Sequence, residues 1–260
     1  MMLSRFRAFA GKEITENLRT KRLFSMCAIF VFIAILSVIT ARFIADIMGA
    51  LLAADGGDGL VIIMPDPVWH DSYAQLYSNI TQMGLLAFIM LFMGAVLKEK
   101  SSGTIDLVMA KGLTPMTFVL SKFVVGAVFT LASLFVALLL TYVYTLVLFE
   151  YAGQFGNVLF GAVPLAAFML MLLAITLMWS AIAKSTATSA VLGIGTFFGL
   201  LVFDLIPVVG RFTPGNLLEH GVPITMGYEV ERLGGQVVVA LAITAAALWV
   251  AAWVLRRREG

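Results

Sequence analysis

Apolar runs free of Asp, Glu, Lys, Arg and His recur six times along the chain, at residues 23–41, 80–97, 123–149, 158–183, 185–203 and 237–255. Each has the length, roughly 17 to 25 residues or more, that a helix needs to cross a hydrocarbon core about 30 Å thick. The third and fourth runs, at 27 and 26 residues, predict helices that tilt or protrude. The short alternating segments of a membrane β-barrel are absent. Ahead of the first run, Leu3, Phe6, Ala10, Ile14 and Leu18 recur at spacings of three and four, with Arg5, Arg7, Lys12 and Arg19 mostly on the other flanks. That pattern predicts an amphipathic helix over residues 1–22, lying at the membrane surface. The first run is longer than the 7 to 15 apolar residues of a signal peptide and no small-x-small site closes it, so it reads as an uncleaved span.

Composition agrees: 61% of the residues are hydrophobic and 12% charged, against about 45–50% and 25% in soluble domains. No stretch longer than about 40 residues lacks an apolar run, so the expectation is one all-α transmembrane domain over residues 1–260. A net charge of +2 gives no reason to expect nucleic acid, and the single cysteine, Cys27, excludes a disulfide framework and a Cys-based metal site. Placement of the charges says more. With the N-terminus inside, Arg5, Arg7, Lys12, Arg19, Lys21, Arg22, Lys98, Lys100, Lys111, Lys122, Lys184, Arg256, Arg257 and Arg258 are cytoplasmic, 14 of the 17 basic residues. Only Arg42, Arg211 and Arg232 lie outside, so the positive-inside rule predicts both termini in the cytoplasm of a multi-pass protein of the cytoplasmic (inner) membrane.

Missing chemistry narrows the function. A carrier coupled to protons or ions needs ionisable side chains within its spans, and the six runs hold none; Asp204, following the fifth, reads as the outer end of that span. His70 and His220 fall in outer loops, no paired aspartates face each other across spans, and no catalytic constellation is visible. The outer segment 42–79 contains Asp46, Asp55, Asp58, Asp66 and Asp71, but at no calcium-loop spacing, and reads as a solvated loop anchored by Trp69, Tyr73 and Tyr77. No Gly-x-x-x-x-Gly-Lys-Ser/Thr phosphate loop is present. No cofactor or metal is expected on this chain, and uphill transport would draw energy from another polypeptide.

The cytoplasmic connection 98–122 is where such a partner would dock. Gly103 can break the second helix, Thr104 can cap a short helix over 105–110, Gly112 can end it, and Thr114 with Pro115 fits the cap and first position of the helix leading into the third span. Ile105, Leu107, Val108 and Met109 exceed what a solvated loop requires. Here the sequence resembles the type-2 permeases of ATP-binding-cassette (ABC) exporters. Glu99, Lys100, Gly103, Thr104, Asp106, Leu107, Leu113, Thr114 and Lys122 stand at matching positions, whereas Ser101, Gly112 and Ser121 depart from the family's Glu, Pro and Gly. The likeness extends to the six spans, the N-terminal helix, and 212–218, which resembles the family's Ser-Pro stretch.

The resemblance implies that the loop helix is a coupling helix docking on a cytoplasmic ABC ATPase, with Glu99, Lys100, Gly103, Thr104, Asp106, Leu107, Lys111, Leu113 and Lys122 as the coupling residues. It further implies two ATPase copies carrying ATP and magnesium, a second permease chain in a homodimer or close heterodimer, and alternating access without catalysis in the permease. It suggests short re-entrant helices within 204–236, where an apolar loop resting on the bundle is an equal alternative. Small residues four apart, at Ser185, Ser189 and Gly193, at Gly195 and Gly199, and at Gly126, Thr130, Ser133 and Ala137, permit close helix packing within one chain or between two. A membrane scaffold or sensor that binds a partner through its outer loop is the alternative function. The sequence names no cargo.

Overall fold

A chain in hydrocarbon must satisfy its backbone hydrogen bonds internally, which favours helices, and among the described residues every regular element is helical. The computed structural model describes residues 2–54, 66–110, 112–204, 206, 213–231 and 233–257. Helix α1 (Met2–Arg19) turns at Thr20 and Lys21, where Lys21 takes a φ of 56°, and α2 (Arg22–Ala54) follows at once. The second span is built from α3 (Trp69–Asn79), a π-helical turn (Ile80–Gly84), α4 (Leu85–Phe92) and α5 (Leu97–Ser101). After it come α6 (Thr104–Ala110), α7 (Pro115–Phe149), α8 (Phe155–Gly161) with α9 (Val163–Ile182), and α10 (Thr186–Asp204). A 3₁₀ turn (Pro214–Glu219), α11 (Gly221–Thr225) and α12 (Leu233–Arg256) complete the order.

Six helical stretches are long and apolar enough to cross a membrane: Arg22–Ile44, Trp69–Ser101, Pro115–Phe149, Phe155–Ile182, Thr186–Asp204 and Leu233–Arg256. They coincide with the six apolar runs, with one large difference. The second begins at Trp69, not residue 80, because α3 is half polar and presents Ser72, Tyr73, Leu76 and Tyr77 to protein. The outer connection expected over 42–79 is correspondingly shorter, since 42–54 continue α2; Asp55 and Asp58 lie outside the described residues.

The fourth span is central. Met171, Leu172, Leu173 and Ala174 are consecutive and all fully buried, so the helix is enclosed on every side, as an all-round apolar helix requires. The third, fifth and sixth spans pack on it, while the first packs on the second and third. By contrast the fifth span buries only Ser189, Gly193 and Phe197, and leaves Val191, Phe198, Val202 and Phe203 exposed. Several small-residue faces are used within the chain: a Cβ on Gly126 would lie 3.0 Å from Leu173, one on Gly193 2.9 Å from Ile89, and Ser133 Oγ lies 3.1 Å from Cys27 Sγ. Gly195 and Gly199 have open space around them.

Between the fifth and sixth spans the short helices pack onto the ends of the bundle. Tyr77 Oη lies 3.1 Å from Thr225 Oγ1, and His220 Nε2 lies 2.8 Å from Gln236 Oε1 on the sixth span. A Cβ on Gly221 would meet the Tyr77 ring at 2.7 Å. Asp204 ends α10 against Gly215 and shares a side-chain hydrogen bond with Thr213, placing a carboxylate at the start of the 3₁₀ turn. Within the expected re-entrant segment 204–236, residues 205, 207–212 and 232 lie outside the described residues.

Candidate functional site

The second span breaks just before it reaches the loop. Residues 93–96 form a turn between α4 and α5, so α5 starts with unsatisfied amides. Ser180 of α9 meets them: its Oγ accepts from Val96 N at 3.0 Å and Leu97 N at 3.1 Å. Lys100, one turn on, donates its Nζ to Ala181 O at 2.8 Å and Ala183 O at 3.0 Å. An ammonium there meets the last carbonyls of the fourth span and the negative end of its dipole. The two spans are thus fastened to each other at this end.

Gly103 turns the chain with a φ of +71°, a left-handed conformation that favours glycine. Helix α6 starts at Thr104 itself, whose hydroxyl lies 2.8 Å from Ser102 Oγ. Its end is a Schellman motif: Gly112 takes a φ of +82°, its N–H bonds to Met109 O at 2.7 Å, and Leu113 N bonds to Val108 O at 3.4 Å. Leu113 is buried there. Thr114 then caps α7, accepting from Thr117 N at 3.2 Å, with Pro115 in the first turn. The stop, turn and start expected from Gly103, Gly112, Thr114 and Pro115 are all present, although Thr104 is the first residue of the helix and not its cap.

Helix α6 has two faces. Ile105 is buried, and Val108 and Met109 pack against the core; Asp106, Leu107 and Ala110 are exposed, Leu107 by 68%. An apolar side chain so far out on a short helix pointing away from the bundle is a surface without a partner in this chain.

The helices on either side of α6 are joined by a cluster of buried charges. Lys122 Nζ donates to Glu99 Oε1 and to Glu13 Oε1, each at 2.7 Å. All three side chains are under a tenth exposed. Glu99 Oε2 makes no hydrogen bond but faces Lys12 Nζ at 3.5 Å, and Lys12 also approaches Glu16 at 3.8 Å. Phe9 packs on Phe118, ring centroids 5.3 Å apart, with the Lys12 and Lys122 ammoniums 5.1 Å from the Phe9 and Phe118 centroids respectively. The cluster therefore joins α1, the end of the second span and the start of the third. Carboxylates of Glu13, Glu16 and Glu99 converge within 4.8 Å, and each already has an ammonium of Lys12 or Lys122 within 4 Å. Burial pushes the Glu13 carboxyl above its ordinary value, more strongly than Lys122 pulls it down.

The residues expected to couple to a partner consequently divide. Asp106 and Leu107 face outward; Glu99, Leu113 and Lys122 face inward; Lys100, Gly103 and Thr104 are half-buried; Lys111 lies outside the described residues. Glu13 and Ser180 do not appear in the sequence reading at all. In α1, Ile14 and Leu18 of the expected apolar flank are 43% and 54% exposed, and a different flank, Phe9, Glu13 and Asn17, is buried. A period of four through Phe9, Glu13 and Asn17 was the available signal, obscured because two of its three members are polar.

Six helices long and apolar enough to cross a membrane, with an anchored helix between the second and third, define a multi-pass membrane protein. The chain belongs to the ABC-2 family of transporter proteins, whose pattern it matches over residues 7–225. It is also similar to a Bacillus subtilis (strain 168) protein described as uncharacterized transmembrane protein YxlG, at 22% identity over 257 residues covering 97% of each chain. The family implies, in general, an ABC ATPase as partner and a membrane subunit that is not itself catalytic.

Proposed function

We propose that this chain is the permease of an ABC exporter in the cytoplasmic membrane, with both termini in the cytoplasm. Two copies of a separate ATPase, which bind ATP and magnesium, dock on α6 of this chain and of a second permease chain. The observation that carries this reading is the two-sided construction of α6. Its exposed Leu107 offers a partner an apolar knob beside Asp106, while Ile105 packs into the core and the Glu13–Lys122–Glu99 cluster joins α1 to α5 and α7, the two helices that flank α6. A push on α6 therefore reaches α1 and the second and third spans as a unit, and repacking of those spans is how alternating access would expose the pathway first inward and then outward. Glu99 and Lys122 act in this scheme by transmitting force, and Asp106 and Leu107 by contact. Lys111 is assigned to the same contact surface from its sequence position. The 3₁₀ turn and α11 serve as short re-entrant elements closing the outer end.

Co-purification tests the division. Leu107→Asp lowers ATPase recovery at least tenfold while the permease keeps its thermal stability. Lys122→Met still binds ATPase in the fraction that folds but uncouples hydrolysis from transport. Wild-type ATPase recovery with Leu107→Asp would refute the docking assignment.

A further inference from the structure

The third span starts and the sixth span ends on the side of the loop helix, and between these ends lies a groove of about 560 Å³. Pro115 and Met116 form one wall, Trp249 and Trp253 the other, Ala252 the floor, and Arg256 the rim. The two indoles lie nearly parallel, interplanar angle 19° with centroids 6.5 Å apart, yet they remain 61% and 40% exposed. The Arg257 guanidinium sits 3.8 Å from the Trp253 ring centroid. Among the described residues, no carboxylate lies within ion-pair distance of Arg256 or Arg257.

Exposed indoles at the end of a spanning helix belong to the boundary between headgroups and hydrocarbon. The apolar walls need an apolar occupant, whereas the rim presents two guanidiniums that no carboxylate meets among the described residues; the dipoles of the α7 N-terminus and the α12 C-terminus, which both end there, oppose each other. A neutral acyl chain would leave the arginines unmatched, and a soluble anion would leave the indoles bare. An amphiphile with a phosphate at its head satisfies both. The volume lies in the range of small-ligand sites, about 300 to 1,000 Å³, suited to a headgroup and the upper part of one chain with the remainder in the bilayer.

We propose that this groove binds one anionic phospholipid, of the phosphatidylglycerol class, with its phosphate at Arg256 and an acyl chain along Trp249, Trp253 and Met116. Phosphatidylcholine carries its own compensating ammonium and is disfavoured. One basic residue near a membrane surface favours an anionic lipid by about fivefold, which sets the size of the effect.

The test is native mass spectrometry of the full chain in detergent with equimolar phosphatidylglycerol and phosphatidylcholine. Wild-type protein retains phosphatidylglycerol preferentially. Arg256→Gln lowers that retention about fivefold and leaves phosphatidylcholine unchanged, and Trp253→Ala lowers both. Equal retention of the two lipids by wild-type protein overturns the proposal without any substitution. So does wild-type retention by a folded Arg256→Gln chain, or displacement by glycerol 3-phosphate alone, which would make the site a headgroup site. Protection of Trp249→Cys from labelling in a lipid-depleted complex, by a second permease copy or the ATPase, would assign the groove to protein and overturn it equally.

Discussion

Lys122 holds two carboxylates apart with an ammonium that is itself 4% exposed. Replacing it by Met leaves Glu13 without its counter-charge and Glu99 with Lys12 alone, and removing one partner of a buried ion pair costs about 3–5 kcal/mol. Lys122→Met therefore lowers the thermal unfolding midpoint in detergent markedly, whereas Leu107→Asp, on an exposed surface, changes stability by about 0.5 kcal/mol or less. Glu13 makes a separate prediction. Burial holds its carboxyl above the ordinary 4.5, so the folded chain keeps this proton to higher pH than the unfolded chain does. The associated stabilisation is complete below the unfolded value and disappears as pH rises through the folded one. The stability of wild type relative to Glu13→Gln should therefore decline as pH is raised from 4.5, measured by thermal unfolding of both chains; a difference that grows with pH contradicts it. Glu99 and Lys122 were legible in the sequence because the resemblance to type-2 ABC permeases singles them out. Glu13 was not, because its ammonium lies 109 positions away and nothing local marks an acidic residue on a basic helix as buried.

The elements were legible where a single physical requirement decides them. Gly103 and Gly112 adopt positive φ, Thr114 and Pro115 start α7, and four of the six spans follow their apolar runs closely; the first helix continues beyond its run. The second span was misjudged because hydropathy records affinity for lipid, and α3 is buried by Tyr73 and Tyr77 against protein. Its internal break was invisible for a related reason: the amides of Val96 and Leu97 are satisfied by Ser180, a residue from another span. Ser180→Ala strands both amides, and a buried donor left unpaired costs about 1–3 kcal/mol. The expected result is faster amide exchange at residues 96 and 97 and a lower unfolding midpoint, with α6 itself unchanged. Unaltered exchange at those two amides would show that the serine is not what holds α5 in place.

For the molecule as a whole, sidedness and energy source are the properties to measure. In a Cys27→Ala background, Ala110→Cys should react only with reagent admitted to the cytoplasm and Phe155→Cys with reagent outside, as the distribution of basic residues requires. Labelling at 110 in intact cells inverts the topology. Asp204 lies against Gly215 and bonds Thr213, the position of a tether for the 3₁₀ turn. In proteoliposomes containing permease and ATPase, Asp204→Asn should leave transport nearly unchanged while an ATPase unable to hydrolyse ATP abolishes it; transport driven by a proton gradient alone and lost in Asp204→Asn reverses the conclusion. The cluster at Lys122 also bears on how the chain is made. Glu13 leaves the ribosome before Lys122 by 109 residues, about 5 to 20 s at ordinary synthesis rates of roughly 5–20 residues per second. During that interval α1 lacks both the helix that buries Glu13 and its counter-ion, so it waits at the membrane surface until the third span begins to insert. A nascent chain arrested before residue 122 should leave α1 open to protease, and one arrested after the third span has emerged should protect it, which would make locking of the N-terminus a checkpoint on the first half of membrane insertion.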